Sequence, residues 1–224
     1  MKHFILFLSL LSFTALGQAD FEKNLQKRLI LAEDGSTIEI EAGRFQLTKG
    51  LSLEGKKNIT LRGKGIDKTT LSFKGQTQGA EGIRVSNCEN IVIEDMTTED
   101  SKGDLIKTMN VKGITFRRIK AAWTGGPKST NGSYGLYPVL CDNVLIDSCI
   151  AIGASDAGIY VGQSQHIIVR NCEAYQNVAG IEIENSLYAD VYNNKAIGNT
   201  GGILVFDLPD LVQKKGGHVR VHHN

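Results

Sequence analysis

The stretch Ser155–Asn185, SDAGIYVGQSQHIIVRNCEAYQNVAGIEIEN, decides the fold because it contains one phrase twice. Gly158-Ile159-Tyr160-Val161 returns 22 residues later as Gly180-Ile181-Glu182-Ile183. The aliphatic residues are kept, while the residue between them changes from tyrosine to glutamate. A β-strand alternates its side chains between two faces, so the kept residues point into a core and the changed residue points outward.

The phrase recurs along most of the chain at a nearly constant period. Its six copies begin at Gly82, Leu105, Gly135, Gly158, Gly180 and Gly202, at spacings of 23, 30, 23, 22 and 22 residues. A second apolar phrase advances by the same steps and begins at Ile91, Ile114, Val144, Ile167 and Ala189. Two phrases that keep step with a period in the low twenties indicate a solenoid.

Residue types distinguish between the solenoids of this period. A leucine-rich repeat has leucines at fixed offsets and a helical stretch, whereas these units alternate isoleucine or valine with polar residues. Asparagines that tolerate a left-handed turn, Asn87, Asn110 and Asn185, follow the first phrase at equal offsets. The sequence therefore predicts an all-β fold, a right-handed parallel β-helix of six or seven coils stacked about 4.8 Å apart.

The N-terminal region departs from the repeat. Residues 1–17 combine Lys2, an apolar run and small residues at a cleavage position. This pattern predicts a secretory signal, and hence a periplasmic or extracellular protein, with an uncleaved anchor as the alternative. Residues 18–37 are predicted to form a cap, in which a short helix over Asp20–Glu33, with Asp20 as N-cap, covers the edge of the first coil.

The β-helix repeats are predicted to fill residues 38–224. Val219 and Val221 stand where a further second phrase begins, and the chain stops at Asn224. The stack would therefore end in mid-coil, and we expect the sequence to be a fragment or a truncated product of a longer protein. Dimerisation through the open edge is the less favoured explanation.

Composition and spacing argue against several other functions. The chain has 25 Lys and Arg against 24 Asp and Glu, so it carries no basic footprint for nucleic acid, and only the export signal predicts membrane contact. No zinc-like spacing is present, so we predict no metal site, and the adjacent His222 and His223 should point to opposite faces of a strand. Cys149 and Cys172 stack in neighbouring coils, where they form either a disulfide or, as we favour, two small buried side chains.

Six segments carry a resemblance to a known family. They are GKKNITLRGKGIDKTTLSFKGQ (Gly55–Gln76), EGIRV (Glu81–Val85), FRRIKAAWTGGPKSTNGSYGLYPV (Phe116–Val139), IGASDAGIYVGQSQHIIVRNC (Ile152–Cys172), NVAGIEIENS (Asn177–Ser186) and NTGGILVFDLP (Asn199–Pro209). Together they resemble the secreted bacterial right-handed parallel β-helix proteins of the pectate-lyase-like superfamily.

The resemblance implies a fold and a range of activities. Better-known members of the superfamily are polysaccharide lyases, hydrolases and epimerases, and others are non-catalytic. The acidic cluster by which pectate lyases bind calcium, and the paired aspartates of pectin hydrolases, have no counterpart among the outward residues. No catalytic residue is therefore transferred from the family. No cofactor is predicted; the resemblance leaves calcium possible, but no residue pattern in the sequence supports it.

Local chemistry supplies the candidate site. The first outward file, one residue from each coil, is Arg84, Lys107, Tyr137, Tyr160, Glu182 and Leu204, and the parallel file two residues on is Ser86, Met109, Val139, Gly162, Glu184 and Phe206. Sugars stack on aromatic rings and uronates pair with cations, so the expected partner is a polysaccharide. The predicted substrate-binding residues are Arg84, Lys107, Trp123, Tyr137, Tyr160, Glu182 and Glu184.

Two kinds of function stay open at this point. The first is a lyase or epimerase on an acidic polysaccharide, with Lys107, Asp156 and Glu182 as candidate catalytic residues and Lys107 as the base. The second is a non-catalytic envelope protein that binds a glycan or a protein partner along the solenoid wall. In the plainest alternative the outward file is an ordinary solvated sheet face, and Asp156 is a turn residue.

Overall fold

The computed structural model describes residue 17 and residues 20–224, so the predicted export signal lies almost entirely outside the described residues. Residues 20–30 are helical and are called α1. The strands in chain order are β1 (Thr37–Glu39), β2 (Gly43–Gln46), β3 (Lys49–Glu54), β4 (Thr60–Arg62), β5 (Thr69–Ser72), β6 (Gln78–Ser86), β7 (Glu89–Glu99), β8 (Ile106–Met109), β9 (Lys112–Ala122), β10 (Leu136–Val139), β11 (Asp142–Asp147), β12 (Ile150–Ile152), β13 (Ala157–Gly162), β14 (Gln165–Arg170), β15 (Glu173–Tyr175), β16 (Ala179–Glu184), β17 (Leu187–Tyr192), β18 (Lys195–Ile197), β19 (Gly201–Phe206) and β20 (Gly217–His222).

The strands wind into a parallel β-helix, as predicted, and the helix has three faces. The main face is a seven-stranded sheet in the order β3-β6-β8-β10-β13-β16-β19, one strand from each of seven coils. The second face, β1-β4-β7-β9-β11-β14-β17-β20, and the third face, β2-β5-β7-β9-β12-β15-β18, form one sheet because β7 and β9 run through the corner between them.

The predicted inward file is confirmed on the main face. Strand pairing aligns its members in the order Ile83, Ile106, Leu136, Ile159, Ile181 and Ile203. The first five are at most 1% exposed, and Ile203, in the last coil, is partly buried against the same core. Stacking thus buries each aliphatic residue between equivalents in the neighbouring coils.

The glycine that opens the repeated phrase is required by the close approach of the next coil. A Cβ atom on Gly135 would lie 2.4 Å from the carbonyl oxygen of Gly158, and one on Gly180 would lie 2.7 Å from that of Gly202. At Gly202, in the last complete coil, a Cβ atom would meet nothing within 4 Å. At Gly135 and Gly180, glycine is therefore required because the neighbouring backbone leaves no space for a side chain. It is not required by a left-handed φ angle.

Left-handed residues turn the chain from the main face to the second face. Asn87, Asn110 and Asn185, predicted to close the main-face strands, have φ angles of 54°, 55° and 42°. The Asn110 amide also donates a hydrogen bond to the Asn87 side-chain oxygen at 3.3 Å. Asparagine suits this corner because it tolerates the left-handed region and bonds along the stack.

Helix α1 covers the edge of the first coil. Leu25 and Leu29 are 1% exposed and belong to the main core. The Gln26 side-chain amide donates to the Ser52 carbonyl and accepts from the Ser52 N–H, both at 2.9 Å, so it replaces a neighbouring strand at the edge of β3. Asp20 is itself helical, so it is not the N-cap that the sequence predicted, because an N-cap residue has a non-helical backbone.

Four cysteines lie in the interior as free thiols: Cys88, Cys141, Cys149 and Cys172. Cys149 and Cys172 are fully buried in neighbouring coils, and burial raises the pKa of Cys149 well above its ordinary value. The structure thus has the arrangement favoured from the sequence. In residue 17 and residues 20–224 no helix is long and apolar enough to cross a membrane.

Candidate functional site

The outer side of the main face carries the predicted outward files. Strand pairing sets Lys107 between Arg84 and Tyr137, and it sets Glu182 beside Tyr160. Tyr137 and Tyr160 are neighbours, because the residues that flank them pair as Leu136 with Ile159 and Val139 with Gly162. The register read from the sequence therefore brings these side chains together across five consecutive coils.

Three tyrosines form an aromatic cluster on this surface. The ring centroid of Tyr134 lies 4.6 Å from that of Tyr137 and 4.5 Å from that of Tyr160, and the Tyr137 and Tyr160 centroids are 4.8 Å apart. Ala157 and Ala179 pack against the rings. These residues form a second apolar cluster that is separate from the core. It lies on the outer side of the coils, which in a β-helix normally faces solvent.

Gly162 allows Tyr160 to lie flat on the sheet. A Cβ atom on Gly162 would be 2.5 Å from a ring carbon of Tyr160 and 2.9 Å from its hydroxyl oxygen. The ring therefore covers Gly162, whose neighbour in the next coil is Glu184. Any larger residue at this position would push the ring away from the surface, so Gly162 sets the orientation of the aromatic cluster.

Two carboxyl groups next to the rings belong to largely buried residues and have no side-chain partner, although their oxygens keep some contact with solvent. Glu182 and Glu184 alternate with inward residues on β16 and so share the outer face, yet they are only 7% and 3% exposed. No side chain in the described part of the protein hydrogen bonds to or forms an ion pair with either carboxyl group. Burial, with the nearby charge of Asp156 adding to it, raises the pKa of Glu182 to about 7 and also raises the pKa of Glu184.

Lys107 and Asp104 border the cluster on the side of the first coils. The Lys107 Nζ atom lies 4.7 Å from the centroid of the Tyr137 ring and 3.8 Å from Asp104 Oδ2. Burial raises the pKa of Asp104 to about 6, although the charge of Lys107 opposes the rise. Arg84, which lies in the coil before Lys107, is exposed. This end of the face therefore pairs its opposite charges, unlike the end with Glu182.

The Tyr134 and Tyr137 hydroxyls stay protonated at neutral pH. Burial, with Asp156 as the nearest charge, raises the pKa of Tyr134, and burial raises the pKa of Tyr137 to about 12. Asp156 itself is half-buried just before β13. The cluster thus combines hydroxyl donors with carboxyl groups that face the same surface.

Trp123 lies elsewhere. It is only 5% exposed, it packs into the main core, and its indole N–H donates to the Ser101 carbonyl at 3.0 Å. It also borders a groove of about 470 Å³ on the third face, together with Arg44, Glu99 and Lys120. The structure therefore does not bring Trp123 to the tyrosine cluster.

Two members of the cluster were missed in the sequence. Tyr134 and Asp104 both stand directly before the first residue of the repeated phrase, at the position that Ala157 and Ala179 hold in later coils. A third outward file was thus present in the repeat. The longer coil that contains Trp123 obscured it, because the spacing between Leu105 and Gly135 is 30 residues rather than 22 or 23.

The histidines near residue 224 correct one sequence expectation. His222 Nδ1 and His223 Nδ1 lie 2.7 Å apart instead of facing away from each other. The strand ends at His222, and His223 takes a left-handed φ of 54°, which breaks the alternation. Over the described residues, no group of three or more His, Cys, Asp or Glu side chains converges to hold a metal ion.

A larger groove, of about 970 Å³, runs between α1 and β3. The aliphatic side chains of Ile30, Leu31 and Leu51 line much of it. The Glu22 carboxylate in this groove already accepts from the Lys49 N–H at 3.3 Å. Size favours this groove, but the unpartnered buried carboxyl groups lie at the tyrosine cluster, which is therefore the candidate site.

Sequence comparison assigns the fold to a family. Residues 49–211 match the family described as right handed beta helix region, so the chain belongs to the right-handed β-helix family. It is also similar to the preneck appendage protein of Bacillus phage PZA, with 29% identity over 174 residues that cover 69% of this chain and 19% of that protein. The pre-neck appendage protein of Bacillus phage B103 is 24% identical over 207 residues, which cover 76% and 24% of the two chains.

Structural comparison gives a similar fold in a solved protein. The A-module of the Azotobacter vinelandii mannuronan C-5 epimerase AlgE4 superposes with a TM-score of 0.54 and 15% identity, over 84% of this chain and 72% of the module. The chain spans a quarter or less of the length of the curated phage relatives, and the identity to the epimerase is low. These likenesses define the fold, and the site must supply the function.

Proposed function

We propose that the protein binds a polysaccharide along the outer side of the main face and acts on it at the tyrosine cluster. One observation carries the proposal: three tyrosine rings in contact with one another lie beside the carboxyl groups of two largely buried residues, and neither carboxyl group has a side-chain partner. The carboxyl oxygens keep little contact with water, so the hydroxyl donors of a ligand can replace that water at a small cost in free energy.

The residue types fit a sugar polymer. The C–H faces of sugar rings pack on aromatic rings, while sugar hydroxyls donate to carboxylates and accept from tyrosine hydroxyls and lysine. Lys107, Tyr137, Tyr160 and Glu182 succeed one another along the stack. Three steps of about 4.8 Å give a row of roughly 14 Å. A row of this length suits a linear polymer better than a single small molecule.

The relatives are consistent with this function without establishing it. The name of the epimerase states an action on mannuronan, and the curated relatives are phage appendage proteins. Together with the predicted export signal, they favour a site of action outside the cytoplasm, which we include in the proposal. A protein that only binds the polymer remains the simpler variant of the same function.

Lys107 favours a second candidate activity, that of a lyase or epimerase on an acidic polymer. Its Nζ atom lies 4.7 Å from the Tyr137 ring centroid, so a cation and a protonated hydroxyl group flank the same surface. Such an enzyme needs a base to abstract a proton and a cation to neutralise the uronate. Product analysis separates this candidate from simple binding, because elimination leaves an unsaturated sugar.

Replacing Tyr160 by alanine should weaken polysaccharide binding by about 1–2 kcal/mol, roughly 5- to 30-fold in Kd, because one aromatic contact is lost. The measurement is a titration of the parent and of Tyr160→Ala against a panel of neutral polysaccharides and polyuronates. Tyr188→Ala is the matched control, because Tyr188 is 52% exposed on the second face. Melting curves confirm that each variant is folded.

Two results would count against the proposed function. The first is a parent protein that binds no member of the panel. The second is a folded Tyr160→Ala variant that binds as tightly as the parent, particularly if Tyr188→Ala binds more weakly.

A further inference from the structure

The buried glutamates of the described residues fall into two pairs that differ in their surroundings. Glu94 and Glu99 are each 4% exposed, while Glu182 and Glu184 are 7% and 3% exposed. Both carboxylates of the first pair form ion pairs with an arginine, and Glu94 Oε1 lies 2.6 Å from Arg62 Nε. Neither carboxyl group of the second pair forms an ion pair with a described residue. The protein thus neutralises two buried carboxylates and leaves two others without a counter-ion.

Strand register explains why the second pair has no cation. Glu182 lies between Tyr160 and Leu204 of the neighbouring coils, and Glu184 lies between a glycine and a phenylalanine. None of these four neighbours carries a charge. On the second face, by contrast, the same kind of stacking places an arginine on each side of Glu94. The absence of a cation beside Glu182 and Glu184 is therefore a property of the main face and not of the β-helix as a whole.

The opposite end of the tyrosine cluster shows how this surface accommodates a cation. The Lys107 Nζ atom lies 4.7 Å from the centroid of the Tyr137 ring and 3.8 Å from Asp104 Oδ2. An aromatic face and a carboxylate both attract an ammonium group, because both present negative electrostatic potential to it. Tyr160 and Glu182, which are neighbours in the stack, offer the same two groups. Here no described residue supplies the ammonium group.

The Tyr160 hydroxyl is a further polar group without a partner. Tyr160 is 6% exposed, and its hydroxyl lies over Gly162, whose neighbour in the next coil is Glu184. This hydroxyl makes no hydrogen bond to a described residue. Glu182 and Glu184 are two residues apart on one strand, so their backbones are about 7 Å apart. An ammonium group has three donors, and it can therefore bond both carboxyl groups and the hydroxyl at once.

We infer, on the basis of the proposed function, that the polysaccharide contains amino sugar units with free amino groups, and that one ammonium group binds between Tyr160, Glu182 and Glu184. Its sugar ring would pack on the tyrosines while the ammonium group neutralises the carboxylates. A neutral sugar would leave the carboxylates without a counter-ion, and a uronate would be repelled by them. A hard metal ion requires several oxygen ligands, which the aromatic surroundings do not supply.

Two oligosaccharides of equal length, added to the same panel, test the inference. One is an oligomer of glucosamine, which carries ammonium groups, and the other is an oligomer of N-acetylglucosamine, which carries none. The parent should bind the glucosamine oligomer at least about tenfold more tightly. Glu182→Gln and Glu184→Gln should each weaken binding of this oligomer by about tenfold or more, and should change binding of the acetylated oligomer by less than about threefold.

Glu54→Gln is the matched control for the loss of one negative charge. Glu54 occupies the same outward file as Glu184, in the first coil, but it is exposed and far from the tyrosines. This variant should bind both oligomers as the parent does. Melting curves confirm that each variant is folded, and glutamine retains the size of the glutamate side chain in every case.

Three outcomes would overturn the inference and leave the proposed function intact. They are equal affinity of the parent for the two oligomers, tighter binding of a polyuronate than of the glucosamine oligomer, and an unchanged preference for glucosamine in a folded variant that carries both Glu182→Gln and Glu184→Gln. A parent that binds no member of the panel, the two oligomers included, would instead overturn the proposed function. The two failures are therefore distinguishable.

Discussion

Replacing Ile159 by aspartate should destabilise the protein by more than about 4 kcal/mol, because it buries a charge with no partner. Ile159 is 0% exposed, and its equivalents in the neighbouring coils are Leu136 and Ile181. No water or counter-ion can reach a carboxylate between these aliphatic side chains. The damage should spread to both neighbouring coils, because each coil of a solenoid is stabilised by the next.

Urea and thermal unfolding followed by circular dichroism measure this effect. Ile168→Asp is the matched control, because Ile168 occupies an outward position on β14 and is 38% exposed. We expect it to change stability by less than about 1 kcal/mol. Equal melting temperatures for parent and Ile159→Asp would contradict the register of the main face.

The stability of Glu182→Gln relative to the parent should be higher at pH 8 than at pH 5. The pKa of Glu182 is raised from 4.5 to about 7 in the folded protein, so the folded state binds more protons than the unfolded state between these values. By linkage, the parent loses stability as the pH rises from 4.5 through 7, and this loss approaches about 3 kcal/mol at pH 8. Glutamine does not titrate and so removes this component.

The measurement is the melting temperature of parent and Glu182→Gln at pH 5 and pH 8. The difference in unfolding free energy between the two proteins should change by about 2 kcal/mol over this range, or roughly 4–8 °C in Tm. Glu54→Gln, on the exposed part of the same face, should show no such change. A constant difference between parent and Glu182→Gln would mean that Glu182 is ionised and solvated in the folded protein.

The inward half of the structure could be predicted because it repeats. Ile159 and Ile181 occupy positions where stacking admits only aliphatic side chains, so periodicity alone gave the coils and the register. The glycine before Ile159 also recurs, because a Cβ atom there would lie 2.6 Å from the side-chain nitrogen of Asn177 in the next coil. A regular solenoid leaves few alternatives for such residues.

The outward half could be predicted only in part. Alternation placed Tyr160 and Glu182 on the outer side, but it does not show whether an outward residue is exposed. The burial of Glu182 depends on the size and direction of its neighbours, such as the Tyr160 ring that lies across Gly162. Trp123 shows the opposite case. It is predicted to bind substrate, but a hydrogen bond to the Ser101 carbonyl and packing in the core hold it inside.

The most direct test of the polysaccharide site is a crystal structure of Glu182→Gln with an oligosaccharide from the polymer that the parent binds. The substitution retains the shape of the site. We predict sugar rings across Tyr137 and Tyr160, with a sugar amino or hydroxyl group within hydrogen-bond distance of the residue 182 amide. An oligosaccharide bound only in the third-face groove beside Trp123, with the tyrosine cluster empty, would contradict the assignment of the site.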